Sequence, residues 1–228
     1  MLGRVGQLVV ISPHCDDAVF ACGRLLEAHP GSLVVTVCAG RPPADVPLTE
    51  WDRAAGFQQG DDVMGIRREE DRAALTLLAA HPVWLDFRDS QYDRSPSPEA
   101  VMEVLHEVIC AATANVIVLP LGLFHSDHVL THQATLLLRR RHARLSWFIY
   151  ADALYRQLPG LTESRLKECE SRGLSLQPTE FPVNAASDRK HAAVHCYQSQ
   201  LRALATPGRP GHADTASQET FWRLVNEE

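Results

Sequence analysis

The sequence predicts a doubly wound α/β domain, in which helices cover both faces of a mainly parallel sheet. Two observations support this fold class. Several short runs of unbroken apolar residues are present, as expected of strands that are buried on both faces. These runs alternate along the chain with longer amphipathic segments, as in consecutive strand-helix-strand units.

The predicted strands are rich in β-branched and large apolar residues, and each ends near glycine, proline or a polar residue. In chain order they are 8–11, 32–40, 83–87, 116–122 and a strand within 145–154. The predicted helices repeat apolar residues at helical spacing and lie between the strands, at 18–30, 68–81, 99–113 and 127–142. Residues 207–221 are expected to form a surface excursion before a last helix.

Length and composition favour one globular domain over residues 1–228. The chain is 45% hydrophobic, which is enough to fill a sizeable core. Its formal charge of −6 favours neither nucleic acid nor an anionic membrane as partner. The apolar runs are shorter than the roughly 20 residues that cross a bilayer, and the N-terminus has no signal-peptide pattern. We therefore expect a cytoplasmic protein without a membrane span.

Residues 41–65 form an unusually long connection between predicted elements. The segment is rich in proline, glycine and charged residues. Long connections in compact domains are often functional loops. We predict that this segment is a flap over the active site.

Two polar segments follow predicted strands, at the place where parallel sheets bind ligands. The sequence SPHCDD follows the first strand, and FHSDH follows the strand at 116–122. The carboxyl ends of parallel strands meet at one edge of the sheet, so these two loops are expected to converge. The chain has no GxGxxG or GxxxxGK[ST] motif, which leaves a nucleotide site without support.

The converging residues are of the types that bind a catalytic divalent metal. Two imidazoles and one carboxylate, with open positions, are such a ligand set. His14 and Asp17 lie three residues apart on one turn, and His128 is the candidate third ligand. Asp16 is then placed beside the metal as a general base. Each motif alone is also explained by helix N-capping, but the two together favour the metal site.

At these residues the sequence resembles the LmbE-like or PIG-L de-N-acetylases, a family with a Rossmann-like fold. The family's PHPDDE-like motif appears here as SPHCDDA, and its HxDH motif as HSDH. Weaker similarity is found in RREED, DFRDSQYD and KHAAVHCYQSQ, so that the resemblance runs from about residue 8 to residue 201.

The resemblance implies a zinc-dependent hydrolase that removes an acyl group, usually acetyl, from the nitrogen of an amino sugar or sugar conjugate. It assigns His14, Asp17 and His128 as metal ligands, Asp16, His125 and Asp127 as catalytic residues, and Arg67 and Asp89 as substrate-binding residues. In this scheme Asp16 activates water. His125 stabilises the oxyanion or protonates the departing amine, and Asp127 orients a histidine. Fe²⁺ fits the same ligands, and a homo-oligomer is left open.

The sequence departs from the family pattern at two positions of the first motif. Cys15 stands in place of the usual proline, and Ala18 in place of the usual glutamate. These changes leave two other interpretations open. One is an amidase that acts on a thiol conjugate or another amide. The other is a non-catalytic sugar- or metal-binding protein on the same scaffold.

Overall fold

A computed structural model describes residues 7–43, 45–92, 94–182 and 188–225. Its strands are β1 (Leu8–Ser12), β2 (Leu33–Thr36), β3 (His81–Trp84), β4 (Val116–Pro120), β5 (Ser146–Tyr150), β6 (Ser175–Thr179) and β7 (Phe221–Val225). Its helices are α1 (Asp17–Ala28), α2 (Glu50–Ala54), α3 (Val63–Leu77), α4 (Pro98–Ala111), α5 (Ser126–Arg141), α6 (Leu161–Ser171), α7 (Arg189–Val194) and α8 (Gln198–Leu204). Two short 3₁₀ helices lie at Tyr155–Gln157 and Ala213–Ala216.

The strands of this described part form one sheet, in the order β3-β2-β1-β4-β5-β7-β6. The first five strands are parallel to their neighbours, and β7 is antiparallel to both β5 and β6. The predicted α/β class with a mainly parallel sheet is therefore confirmed. None of the helices described combines the length and the apolar character that a bilayer crossing requires.

Alternate residues of the central strands enter two separate hydrophobic cores. In β1, Leu8 and Val10 belong to one core, whereas Val9 and Ile11 belong to the other. Successive side chains of a strand point to opposite faces, so the two cores lie on opposite sides of the sheet. Helices α1 and α3 pack on the first face, and α4 and α5 on the second. This two-sided burial explains why the strand sequences are apolar without alternation.

The strand order reverses at β1, which lies between β2 and β4. At such a point the connections leave the two neighbouring strands toward opposite faces, and a crevice opens beyond their carboxyl ends. The loops that follow β1 and β4 border this crevice. They are the two loops that carry the SPHCDD and FHSDH segments.

The prediction of a last helix after the 207–221 segment is wrong, because residues 221–225 form strand β7. Phe221, Trp222 and Leu224 of this strand are buried, and Arg223 is exposed. The strand pairs with β5 in the antiparallel direction and carries β6 at the edge of the sheet. Nothing in the sequence pattern predicted β6, which is short and half exposed.

The predicted flap contains helix α2 and is fixed to the domain at its centre. Asp52 is fully buried, and its carboxylate accepts a hydrogen bond of 2.9 Å from Arg67 of α3. The indole Nε1–H of Trp51 donates to Gln200 of α8 at 3.0 Å. The structure thus gives this segment a defined position beside the crevice, and its opening remains a prediction.

Candidate active site

The turn after β1 is fixed by hydrogen bonds of its own residues. The hydroxyl of Ser12 donates to the carbonyl of His14 at 2.6 Å and accepts the N–H of Ala18 at 3.0 Å. The N–H of His14 donates to the carboxylate of Asp17 at 2.9 Å. These bonds fold the turn so that His14 and Asp17 face the crevice together.

The predicted metal ligands converge on one point. An oxygen of Asp17 lies 3.1 Å from Nδ1 of His14 and 3.2 Å from Nε2 of His128. One donor atom of each of these three residues lies within 4.8 Å of the others. Two loops that are more than a hundred residues apart in the sequence therefore offer two imidazoles and a carboxylate to one cation, which is a donor set suited to zinc or iron(II).

A carboxylate lies behind each of the two histidines. Nε2 of His14 is 3.1 Å from Asp127, and Nδ1 of His128 is 2.6 Å from Asp152. A metal-binding histidine commonly donates its second ring N–H to a carboxylate, which fixes the ring and its tautomer. The arrangement of these four side chains fits a metal that is bound on the opposite nitrogens.

A second donor set overlaps the first, because His14, His125 and Asp127 also lie within 4.8 Å of one another. The contacts of Asp127 favour the first set. This carboxylate is buried and already accepts the N–H of Ser90 at 3.0 Å in addition to contacting His14. Asp17 faces the cavity, whereas Asp127 lies behind His14.

The protonation states of the two histidines and of the carboxylates around them depend strongly on one another. Burial alone would lower the pKa of His128, but Asp17 and Asp152 raise it to about 9. Burial likewise opposes protonation of His14, yet Asp127 and Asp17 hold its pKa well above the usual value. The same pairs keep the pKa of Asp17 and Asp127 below their usual range, although burial alone would raise them. Cationic imidazoles and anionic carboxylates thus stabilise each other, which indicates that the site favours positive charge at its centre.

Asp16 occupies the N-cap position of α1, but its side chain makes no capping hydrogen bond. The carboxyl group instead lines the cavity beside Asp17. Burial and the neighbouring charge of Asp17 raise the pKa of Asp16 to about 7. The simple capping explanation for the Asp-Asp pair therefore fails for this residue, which is placed to exchange a proton near neutral pH.

His125 is the N-cap of α5. Its Nδ1 accepts the N–H of Asp127 at 3.2 Å, so a neutral His125 carries its proton on Nε2. Burial and the positive charges of His14 and His128 lower its pKa. The ring also lines the cavity. His125 is consequently a neutral donor beside the metal-ligand set.

The cavity at this edge has a volume of about 660 Å³, which is within the range of small-molecule sites. Its rim is largely apolar, and Trp51, Phe124, Tyr155 and Leu158 are among its lining residues. Phe124 is 69% exposed, stacks on Tyr155 at 5.3 Å and has a positive φ of 61°. Non-glycine residues with a positive φ are often found at ligand sites, so Phe124 is a candidate contact for a ligand in this cavity.

All the predicted site residues except Asp127 line this cavity. Arg67 is buried, and its guanidinium bonds to Asp52 at 2.9 Å and to the hydroxyl of Tyr92 at 3.3 Å. Asp89 accepts two hydrogen bonds from Gln91 and lies 3.8 Å from Nε2 of His14. Both side chains thus reach the cavity, but protein partners already hold them in place.

Cys15 and Ala18, the two residues that depart from the family pattern, are both buried. Cys15 is 5% exposed, and burial raises the pKa of its thiol well above the usual value. It is therefore a neutral thiol rather than a reactive thiolate. Ala18 is fully buried in the core beneath α1, where a small apolar side chain fits.

Asp152 is the main site residue that the sequence analysis missed. It lies two residues beyond the end of β5, is 1% exposed and accepts the N–H groups of Gly122 and Leu123 in addition to contacting His128. The signal that could have found it is a polar residue at the end of a buried strand, which is the pattern that located the other two loops.

Comparison with known proteins finds several deacetylases. A family model described as GlcNAc-PI de-N-acetylase (PIG-L) matches residues 9–138, which is more than half of the chain. The 2'-N-acetylparomamine deacetylase of Streptomyces fradiae is 30% identical in an alignment 153 residues long, which covers 58% of this chain and 51% of that protein. The chain thus spans about half the length of this curated relative.

Solved structures of deacetylases resemble nearly the whole chain. The deacetylase of the antimicrobial reagent A40926 pseudoaglycone superimposes with a TM-score of 0.77 at 25% identity, and 97% of each chain is covered. The zinc-inhibited form of teicoplanin deacetylase Orf2 gives a TM-score of 0.80 at 22% identity over 97% of this chain and 99% of its own. At 22% identity, the similarity to teicoplanin deacetylase Orf2 supports a shared fold and no conclusion about activity.

Proposed function

Because the chain belongs to the GlcNAc-PI de-N-acetylase (PIG-L) family, we propose that it is a metal-dependent amide hydrolase that removes an N-acetyl group from an amino sugar or a sugar conjugate. One observation carries the proposal. His14, Asp17 and His128 meet within 4.8 Å, and the carboxyl group of Asp16 faces the same cavity without a capping bond. A binding protein has no need of this additional carboxyl group.

We assign His14, Asp17 and His128 as the ligands of a divalent metal, with zinc as the expected ion and iron(II) as the alternative. Such an ion supplies Lewis-acid polarisation of an amide carbonyl and lowers the pKa of water. Asp127 holds the ring of His14, and Asp152 holds that of His128. These two carboxylates keep the ligand nitrogens directed at the common point.

Asp16 is the proposed general base. Its carboxylate takes the proton of the water that attacks the acetyl carbonyl, and its raised pKa suits this exchange near neutral pH. His125 is the proposed oxyanion donor, because its neutral ring presents Nε2–H to the cavity. The same group can protonate the amine as the carbon–nitrogen bond breaks.

The substrate assignment is supported by the cavity and by the relatives. The names of the two relatives at 25% identity or more describe deacetylation of 2'-N-acetylparomamine and of the A40926 pseudoaglycone. The cavity is large enough for one or two sugar rings, and Trp51 and Tyr155 offer flat surfaces to a ring face. Arg67 and Asp89 are proposed to bind polar groups of the sugar at the cavity wall.

The proposal is tested by release of free amine from N-acetylated amino sugars and their conjugates, with and without a chelator. We expect activity that the chelator removes and that added metal restores. Asp16→Asn should retain metal and lose activity by about 100-fold or more, because an amide cannot accept the proton of water. Asp86→Asn, at an exposed carboxylate outside the cavity, is the matched control and should remain active.

Several outcomes would contradict the proposal. Activity that survives complete metal removal would exclude the metal mechanism. Near-full turnover by Asp16→Asn would exclude its role as base. Metal and sugar binding without any amine release would favour a binding protein, and selective cleavage of thiol-conjugate amides would favour the alternative amidase.

A further inference from the structure

A second cluster of metal-ligand residues lies on the helical layer formed by α4 and α5, outside the cavity. His106 and Cys110 are one turn apart on α4, and His142 directly follows the last residue of α5. Nδ1 of His106 lies 2.8 Å from Nε2 of His142, and the sulfur of Cys110 lies 3.7 and 3.8 Å from the two ring nitrogens of His106. One donor atom of each residue lies within 4.8 Å of the others.

We propose that His106, Cys110 and His142 form a second zinc site, which joins the C-terminal ends of α4 and α5. Zinc takes nitrogen and thiolate ligands at about 2.0 and 2.3 Å in tetrahedral geometry. These bond lengths separate two nitrogens by about 3.3 Å and a nitrogen from a sulfur by about 3.6 Å. The nitrogen–nitrogen distance of 2.8 Å and the shorter sulfur–nitrogen distance of 3.7 Å to His106 lie within about half an ångström of these values. The sulfur of Cys110 lies within 4.8 Å of the donor nitrogen of His142, so side-chain rotation has to close that side of the site.

The cluster has a simpler explanation, which is a hydrogen bond between the two imidazoles. That bond places one proton between Nδ1 of His106 and Nε2 of His142. When zinc binds, this proton moves to the outer nitrogen of the ring that carried it, and the thiol proton of Cys110 passes to solvent. Cys110 is exposed, so water can reach the departing proton. The hydrogen bond thus holds the two nitrogens close together, and a small rotation of each ring directs both at a shared metal.

The surrounding charges are compatible with a cation. The guanidinium of Arg141 makes a two-bond contact with Glu103 of α4, at 2.6 and 2.7 Å. Glu103 therefore compensates the positive charge of Arg141 and is itself engaged. The fourth coordination position is left to water.

The second site is separate from the candidate active site. His128 and His142 lie fourteen residues apart at opposite ends of α5, which corresponds to about 21 Å at 1.5 Å per residue. The two sites share no ligand, so either can be lost without the other. The inference consequently does not depend on the proposed hydrolase function.

The first test counts zinc in the full chain, after removal of any histidine tag and all metal. The wild type should bind two equivalents in competition with a chelator. Cys110→Ser and His106→Gln should each bind one, whereas His128→Gln should lose the other equivalent. Cys196→Ser, which changes a thiol that belongs to neither cluster, should still bind two. Equal zinc content in the wild type and Cys110→Ser would overturn the proposal.

The second test identifies the ligand and does not depend on catalysis. Cobalt(II) bound through a thiolate gives a near-ultraviolet charge-transfer band. This band should appear in the wild type and in His128→Gln, and should be absent in Cys110→Ser. A band that persists in Cys110→Ser would place the metal on another thiol, such as that of Cys15, and would overturn the assignment. Amine release by Cys110→Ser should equal that of the wild type.

Discussion

Replacement of Asp152 by asparagine is expected to weaken metal binding through His128, although Asp152 is not a ligand. One carboxylate oxygen of Asp152 contacts Nδ1 of His128 at 2.6 Å. The other accepts the N–H groups of Gly122 and Leu123 at 2.9 and 3.2 Å. An asparagine side chain has only one acceptor oxygen, so it cannot satisfy both sets of donors.

Either orientation of the asparagine amide disturbs the site. If its oxygen faces Gly122 and Leu123, its NH₂ group faces Nδ1 of His128, which must then accept. The proton of the neutral ring then moves to Nε2, the nitrogen directed at Asp17 and the metal position. If the oxygen faces His128 instead, two buried backbone N–H groups meet an NH₂ group, at a cost of about 1–3 kcal/mol.

The expected magnitude follows from comparable substitutions behind metal ligands. Removal of such a partner commonly lowers metal affinity by 10–100-fold, or about 1.4–2.7 kcal/mol. Asp71→Asn is the matched control, because Asp71 is a buried carboxylate that accepts hydrogen bonds from Trp84 and Tyr197 and does not contact a metal ligand. It should affect stability and leave metal affinity within about twofold of the wild type.

The assay is competition with a chelator of known affinity, performed on a Cys110→Ser background so that one zinc site is followed. Thermal unfolding with and without zinc provides a second readout, since a ligand that binds only the folded state raises the unfolding midpoint. If Asp152→Asn bound zinc with wild-type affinity, the reasoning would be refuted, because Asp152 would then not determine which ring nitrogen of His128 carries the proton.

Three other outcomes are expected. His128→Gln should reduce the zinc content at the active site, and tight stoichiometric zinc in that variant on the Cys110→Ser background would remove His128 from the ligand set. His132 is 2% exposed, and burial with the charge of Arg165 lowers its pKa to about 4. Between about pH 6.5 and 4 the unfolded chain binds a proton at this residue that the folded protein excludes, so His132 contributes a decrease of about 3 kcal/mol to the free energy of unfolding as pH falls through this range. His132→Gln should lack this part of the pH dependence in urea titrations, and an unchanged profile would contradict the assignment. Residues 41–65 should exchange amide hydrogens faster than β1 and be protected when a substrate analogue binds, whereas uniform slow exchange in both states would argue against a flap.

The convergence of the candidate site residues could be predicted from the sequence because one physical rule controls it. The apolar runs at β1 and β4 are buried on both faces, and parallel strands present their carboxyl ends at one edge. Polar residues directly after such strands must therefore lie close together. This rule predicts that His14 and His128 lie in one crevice together with Asp16 and Asp17, and all four residues line one cavity in the structure.

Side-chain pairings across the fold could not be predicted in the same way. The contact between Asp152 and His128 depends on β5 lying next to β4, and sequence order alone does not specify that neighbour. The pairing of Arg67 with Asp52 depends on how the predicted flap packs against α3. His106 and Cys110 are readable as an i, i+4 pair, but His142 joins them only through the packing of α5 on α4.

Strand β7 was missed for a different physical reason. It has only five residues, and the buried pattern of Phe221, Trp222 and Leu224 is compatible with one face of a short helix as well as with a strand. Pairing with β5 decides the outcome, because the strand satisfies backbone groups at an otherwise open sheet edge.

The most direct test of the account is an anomalous-scattering map of the Cys110→Ser variant, crystallised with one equivalent of zinc. We predict a single peak at about 2.0–2.2 Å from a nitrogen of His14, a nitrogen of His128 and an oxygen of Asp17. A peak held by His14, His125 and Asp127 instead, or zinc only at sites outside the cavity, would contradict the central claim.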